Sequence, residues 1–127
     1  MNSHKVIKTE LAPAAIGPYS QAVCAVNMVF VSGQLGIDPK TGQLVDGGIA
    51  SQTQQALENV KSILSAEALA LQNVVQVQVF LADIKDFAAM NEIYAKYFTQ
   101  PYPSRAAFQV AALPKGGLVE IMAVAVK

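Results

Sequence analysis

Arginine occurs once in this chain. Eight of the nine basic residues are lysines, scattered at positions 5, 8, 40, 61, 85, 96, 115 and 127, and Arg105 is the exception. Histidine also occurs once, at His4 near the N-terminus, cysteine once, at Cys24, and tryptophan not at all. A single cysteine excludes an internal disulfide and suits a reducing compartment. One histidine and one cysteine cannot make a Cys/His metal cluster, and no serine–histidine–aspartate triad is within reach. His4 reads as a solvated side chain and Cys24 as a small core residue. The formal charge is zero and the lysines do not cluster, which argues against a nucleic-acid-binding surface. No apolar run approaches the ~18 residues of a membrane span. The N-terminus lacks the apolar core of a signal peptide and the arginines of a transit peptide, so a cytoplasmic location is expected.

Apolar residues are abundant: they make up 53% of the 127 residues, against 14% charged. One domain spanning 1–127 is expected, long enough to bury about two-thirds of its unfolded surface. With no membrane to hide in, the surplus apolar surface points to a subunit interface.

Along the chain, Lys5 to Thr9 reads as a short edge strand whose lysines guard against stray pairing. A loop with two prolines follows, and its Gly17-Pro18 turn sets where Tyr19 points. Ala22 to Val26 and Met28 to Ser32 read as a hairpin turning at Asn27. Gly33 and Gly36 suggest backbone lying close to another body, without the Gly-Lys-Ser/Thr ending of a phosphate loop. Asp38 to Gly42 is a turn with no chemical role expected. From Ile49 to about Leu71 the spacing predicts a helix, with Thr53, Ala56/Leu57, Val60, Ile63/Leu64, Glu67 and Leu71 on one stripe. Ser51-x-x-Gln54 fits a capping box, while Gly47-Gly48 allows an earlier start. Val74 to Leu81 is the clearest strand, its apolar face expected to be Val75, Val77, Val79 and Leu81.

Asp83 to Asp86 opens a second helix striped by Phe87, Met90, Tyr94 and Tyr97/Phe98, with Asn91 on the same face. A strand from Ser104 carries Arg105, and Leu118 to Val126 forms the last strand. The order β-β-β-α-β-α-β-β predicts an α+β fold, with two helices on one face of a mixed sheet. The other face stays apolar and is expected to meet further copies in a closed homo-oligomer.

Two charged residues stand out against apolar surroundings. Arg105 opens an apolar strand after a Pro-x-Pro brake, and Glu120 is the one acid among eight apolar residues in Leu118–Val126. Removing either charge from water costs several kcal/mol unless a partner meets it. A short turn between their strands would make them near neighbours. On one reading they satisfy each other. On the other they line a pocket at a subunit seam, with Arg105 gripping a substrate carboxylate through its bidentate fork and Glu120 handling a water. Tyr19, Ser32 and Asn91 taken singly read as packing or local hydrogen-bonding residues.

Taken together the motifs resemble a known family. Gly17-Pro18-Tyr19-Ser20-Gln21-Ala22, Val31-Ser32-Gly33-Gln34, Pro39-Lys40-Thr41-Gly42, Asn91-x-x-Tyr94, Pro103-x-Arg105, Val110-Ala111-x-Leu113-Pro114 and Val119-Glu120-Ile121 stand in the order found in the Rid (reactive intermediate deaminase, formerly YjgF) family. The run Arg105-Ala106-Ala107-Phe108-Gln109-Val110-Ala111-Ala112-Leu113-Pro114-Lys115-Gly116 is most similar to the animal-type RidA variant. The resemblance implies a chorismate-mutase-like fold and a homotrimer with clefts between subunits. It also implies hydrolysis of 2-imino acids, derived from the enamines that pyridoxal-phosphate enzymes release, to 2-keto acids and ammonia, with no metal or organic cofactor. By the same resemblance Arg105 binds the carboxylate, Glu120 and Tyr19 hold the attacking water, and Ser32 and Asn91 line the pocket. Two positions depart from the family: Ala107 stands where many bacterial members have cysteine, and Met122 where a second glutamate is common. The family's endoribonuclease and translation-inhibitor label finds little support here, since the chain has neither clustered cations nor a histidine within a matched motif. A non-catalytic trimer that binds keto acids or unfolded clients is a third reading, which the retention of Glu120 beside Arg105 disfavours.

Overall fold

The computed structural model describes residues 4–127; the first three residues of the domain expected over 1–127 lie outside the described residues. Among the described residues six strands form one sheet: β1 (Lys5–Ile7), β2 (Ala22–Ala25), β3 (Met28–Leu35), β4 (Val74–Leu81), β5 (Ser104–Gln109) and β6 (Val119–Val126). Helix α1 (Gly48–Ser65) follows β3 and helix α2 (Phe87–Tyr97) follows β4, which is the expected order. The strands lie side by side as β1-β2-β3-β6-β4-β5. Only β4 and β5 run parallel, as a strand pair bridged by a crossover helix must. Among the described residues no helix is long and apolar enough to cross a membrane.

Both helices lie on one face. Alternate residues of β6 (Val119, Ile121, Ala123, Ala125) and Val77, Val79 and Leu81 of β4 are buried with Leu57, Val60, Ile63 and Leu64 of α1 and Met90 and Tyr94 of α2. The other face, carrying Phe30, Met122 and Phe108, is bare, and Phe108 is 45% exposed. Phe80 and Phe108 meet edge to face there, ring centroids 5.4 Å apart.

Three sequence expectations need correction. Helix α1 stops at Ser65 and does not reach Leu71. The Leu69 N–H bonds back to the Leu64 carbonyl, Ala68 takes a positive φ, and Glu67 is drawn off the stripe by Lys5 and Lys127 at 3.0 and 3.1 Å. The helix also begins earlier than the capping box, at Gly48 behind Gly47 (φ 111°), where a Cβ would collide with Ser51 Oγ. Second, Val75 leaves the apolar face of β4. A bulge between Val74 and Gln76 turns it outward and gives Val74 the inward position.

The third correction concerns the two charged residues. β5 and β6 are not a hairpin, because β4 lies between them: Val77 pairs with Arg105 on one side and Phe80 with Glu120 on the other. Glu120 alternates with the buried β6 residues and so points to the bare face, whereas the Arg105 guanidinium lies over rings of α2 on the helix face. Within one chain they share neither an ion pair nor a pocket.

Candidate functional site

The candidate residues fall into two groups. The first surrounds a cavity of ≈ 760 Å³ lined by Ile16, Tyr19, Ser32, Gly33, Gln34 and Glu120 among others. Gln21 fastens one wall: its Nε2 donates to the carbonyls of Thr9, Ala12 and Pro13 and its Oε1 accepts from Thr9 N–H. The Ser32 hydroxyl donates to the Ser20 carbonyl at 2.6 Å, and Ser32 N–H to the Gln21 carbonyl at 2.9 Å, tying the Tyr19 loop to β3. Ser32 therefore spends its hydroxyl proton on local backbone while the residue still lines the cavity. Tyr19 is 53% exposed, and its hydroxyl oxygen accepts from Ile16 N–H at 3.4 Å.

Glu120 is half-buried at the floor of this cavity. Among the described residues nothing donates to its carboxyl, and burial alone pushes its pKa above the ordinary carboxylate value. A carboxylate poised this way takes up a proton more readily than one in water. The 38–42 turn forms another wall, held by Gly42 N–H on the Asp38 carbonyl at 2.8 Å, so Pro39 and Gly42 acquire a shaping role not expected of them.

The second group surrounds Arg105. Its Nη1 donates to Asn91 Oδ1 at 2.7 Å, and its guanidinium carbon stands 4.6 Å from the Tyr94 ring centroid and 5.5 Å from that of Phe87. No carboxylate of the described residues forms an ion pair with Arg105. Tyr94 is 6% exposed, and its hydroxyl has no hydrogen-bond partner among the described residues. Burial raises the Tyr94 pKa and the nearby guanidinium opposes that rise, although the two do not reach hydrogen-bond geometry.

The structure thus gathers Tyr19, Ser32 and Glu120 in one place and Asn91 and Arg105 in another. Gly33, Gln34 and Tyr94 stood in the matched motifs without a site role; Gly33 was expected to lie close to another body, and Tyr94 to pack in the buried stripe of α2. Cys24 is buried, as a core residue should be, and His4 is exposed. Among the described residues no three of His, Cys, Asp and Glu gather closely enough to hold a metal ion.

The family model described as Endoribonuclease L-PSP matches residues 9–127. The chain belongs to this family, the Rid family of the sequence resemblance. Among its Rid relatives, the 2-iminobutanoate/2-iminopropanoate deaminase of Bos taurus is 56% identical over 97% of this chain and 90% of its own length. The crystal structure of RidA from an Antarctic Psychrobacter has 49% identity and a TM-score of 0.93, covering 97% of this chain and 99% of that one. E. coli TdcF, solved with bound serine, has 43% identity and a TM-score of 0.91, covering 97% and 98%. The α+β layout expected of a Rid protein is the one observed.

Proposed function

We propose that this chain is a 2-imino acid deaminase that hydrolyses 2-iminopropanoate and 2-iminobutanoate to the 2-keto acids and ammonia. The observation that carries the reading is a pair of unmet charges. Arg105 is held by a neutral amide and aromatic faces with no protein carboxylate on it, and Glu120 sits in a cavity with no cation on it. A self-satisfied Arg–Glu pair is the reading this arrangement disfavours. The deaminase names of mammalian relatives at 54–56% identity support the same assignment, as does a relative that binds an amino acid.

In this reading three copies of the 1–127 domain form a homotrimer through the bare sheet face, and each cleft takes Arg105 and Asn91 from one copy and Tyr19, Ser32 and Glu120 from its neighbour. Arg105 grips the substrate carboxylate through its planar fork. The imine carbon next to that carboxylate is electrophilic, so orientation supplies much of the rate. Glu120 accepts a proton from a water that Tyr19 helps to place, as the oxygen bonds to the imine carbon. The nitrogen of the adduct is protonated, the C–N bond breaks, and ammonia leaves a keto acid behind. No metal or organic cofactor enters, and the enzyme works in the cytoplasm.

The test generates 2-iminopropanoate in place with an amino-acid oxidase and traps what survives as the semicarbazone. Less semicarbazone with wild type but not with Arg105→Ala is the expected result. An unchanged yield with both proteins would leave the cleft a binding site, and ribonuclease activity that survives repurification and Arg105→Ala would return the older family label.

A further inference from the structure

Helix α2 places Phe87, Asn91 and Tyr94 at i, i+4 and i+7, one above another on a single face, and Arg105 of the edge strand β5 lies across that ladder. Arginine has many rotamers, so at a sheet edge an unsupported guanidinium would be spread over many positions. Two constraints act on this one. Asn91 holds one end of the fork through a neutral acceptor, and the ring of Tyr94 lies under the guanidinium carbon at 4.6 Å from its centroid. Neither constraint cancels the positive charge. A carboxylate at position 91 would hold the arginine more tightly but would use up the charge that an anionic ligand needs.

We infer that Tyr94, with Phe87, is a positioning residue that acts through Arg105. Its buried ring is the shelf that keeps the guanidinium flat and aimed, and the ring rather than the hydroxyl does this. Among the described residues the hydroxyl makes no hydrogen bond, to Arg105 or to anything else, so the ring face is the contact through which Tyr94 meets the guanidinium. The inference rests on the reading of Arg105 as the carboxylate anchor.

The experiment measures, by calorimetry, the affinity of the assembled protein for 2-oxobutanoate and for its uncharged methyl ester, in wild type, Tyr94→Phe, Tyr94→Met and Arg105→Ala. Tyr94→Met keeps an apolar filler but removes the π face. It should weaken 2-oxobutanoate binding about three- to thirtyfold, lower the acid-to-ester affinity ratio, and raise KM more than it lowers kcat in the imine assay. A loss of packing alone would weaken acid and ester together. Tyr94→Phe should stay within about twofold of wild type, the range of a retained stack, and should unfold at no lower temperature. If Tyr94→Met does not fold, Phe87→Leu, which removes the second ring, should lower the same ratio. Tyr94→Met, or Phe87→Leu in its place, at the wild-type ratio while Arg105→Ala fails to bind would overturn this inference alone, as would a Tyr94→Phe as weak as Tyr94→Met. An Arg105→Ala protein that binds the acid normally would instead remove the anchor reading and this inference with it.

Discussion

Gly33 leaves room for the Glu120 carboxyl: a Cβ at position 33 would stand 2.8 Å from Glu120 Cδ and 3.0 Å from Oε2. The close approach comes from a bulge in the β3–β6 pairing between Val31 and Gln34, which brings the Gly33 backbone against the acid's side chain. The atoms displaced by a methyl group would be the movable end of a glutamate, not backbone. Gly33→Ala should therefore cost the fold less than about 1 kcal/mol while shifting the carboxyl, and a shift of about 1 Å at a reacting group lowers turnover by up to ~100-fold. Denaturant melts beside the imine assay check this; equal losses in both would mean that Gly33 serves the fold and not the acid.

Glu120 predicts a pH dependence with a definite sign. Burial favours its protonated form, so its folded pKa lies above the ordinary 4.5. Its contribution to stability is full below 4.5 and lost as pH rises through the raised value. Glu120→Gln, neutral at every pH, should therefore unfold at a higher temperature than wild type near pH 7, with the gain vanishing in acid. Activity runs the other way. In the proposed reaction the carboxylate is the base, so kcat/KM should fall as pH drops through the raised pKa, and Glu120→Gln should lose about 10²–10⁴-fold.

Asn59 of α1 is 1% exposed, and its Nδ2 donates to the carbonyls of Leu35 and Ile37 at 3.1 and 2.9 Å, with Gln55 Nε2 donating to its Oδ1 at 2.9 Å. Those two carbonyls flank Gly36, where the chain leaves β3 so close to α1 that a Cβ would lie 2.6 Å from Gln52 Cα. Asn59→Ala would leave the buried Leu35 carbonyl and the part-buried Ile37 carbonyl without this donor, at a cost of about 1–3 kcal/mol. Urea unfolding should register it, and protease cutting in the 38–42 turn should accelerate because that wall of the cavity loses its anchor.

Glu67 joins three distant parts of the chain, taking Lys5 of β1 at 3.0 Å and Lys127 beyond β6 at 3.1 Å. The two ammonium groups hold its pKa below the ordinary value. The sign is opposite to that of Glu120: the stabilisation is present above 4.5 and disappears as pH falls through the lowered value. Glu67→Gln should lower the urea midpoint at pH 7, by less in high salt, and match wild type in strong acid.

Much of this architecture could be read from residue order. The period-two run at Val74–Leu81 and the three-and-four spacing from Ile49 and from Phe87 named the elements in the right sequence, and the solitary Arg105 and Glu120 marked themselves by their surroundings. What stayed hidden was non-local. Nothing within 105–120 says that β4 will insert between two strands adjacent in sequence, because that choice belongs to the β4–α2–β5 crossover and to pairing with β6. The bulges at Val75 and Gly33 likewise exist only against a partner strand. The companions of Arg105 were sought among acids, since charge suggests charge, and proved to be an amide and two rings.

The placement of β4 between the arginine strand and the glutamate strand has a genetic consequence. In the proposed trimer a cleft draws its anchor and its acid from different polypeptides, so damage to one half leaves the other half of the same polypeptide usable. Two inactive alleles, one altered at Arg105 and one at Glu120, expressed together and mixing freely, would leave about a quarter of clefts with both halves intact. Each allele would fail alone, and the pair would complement.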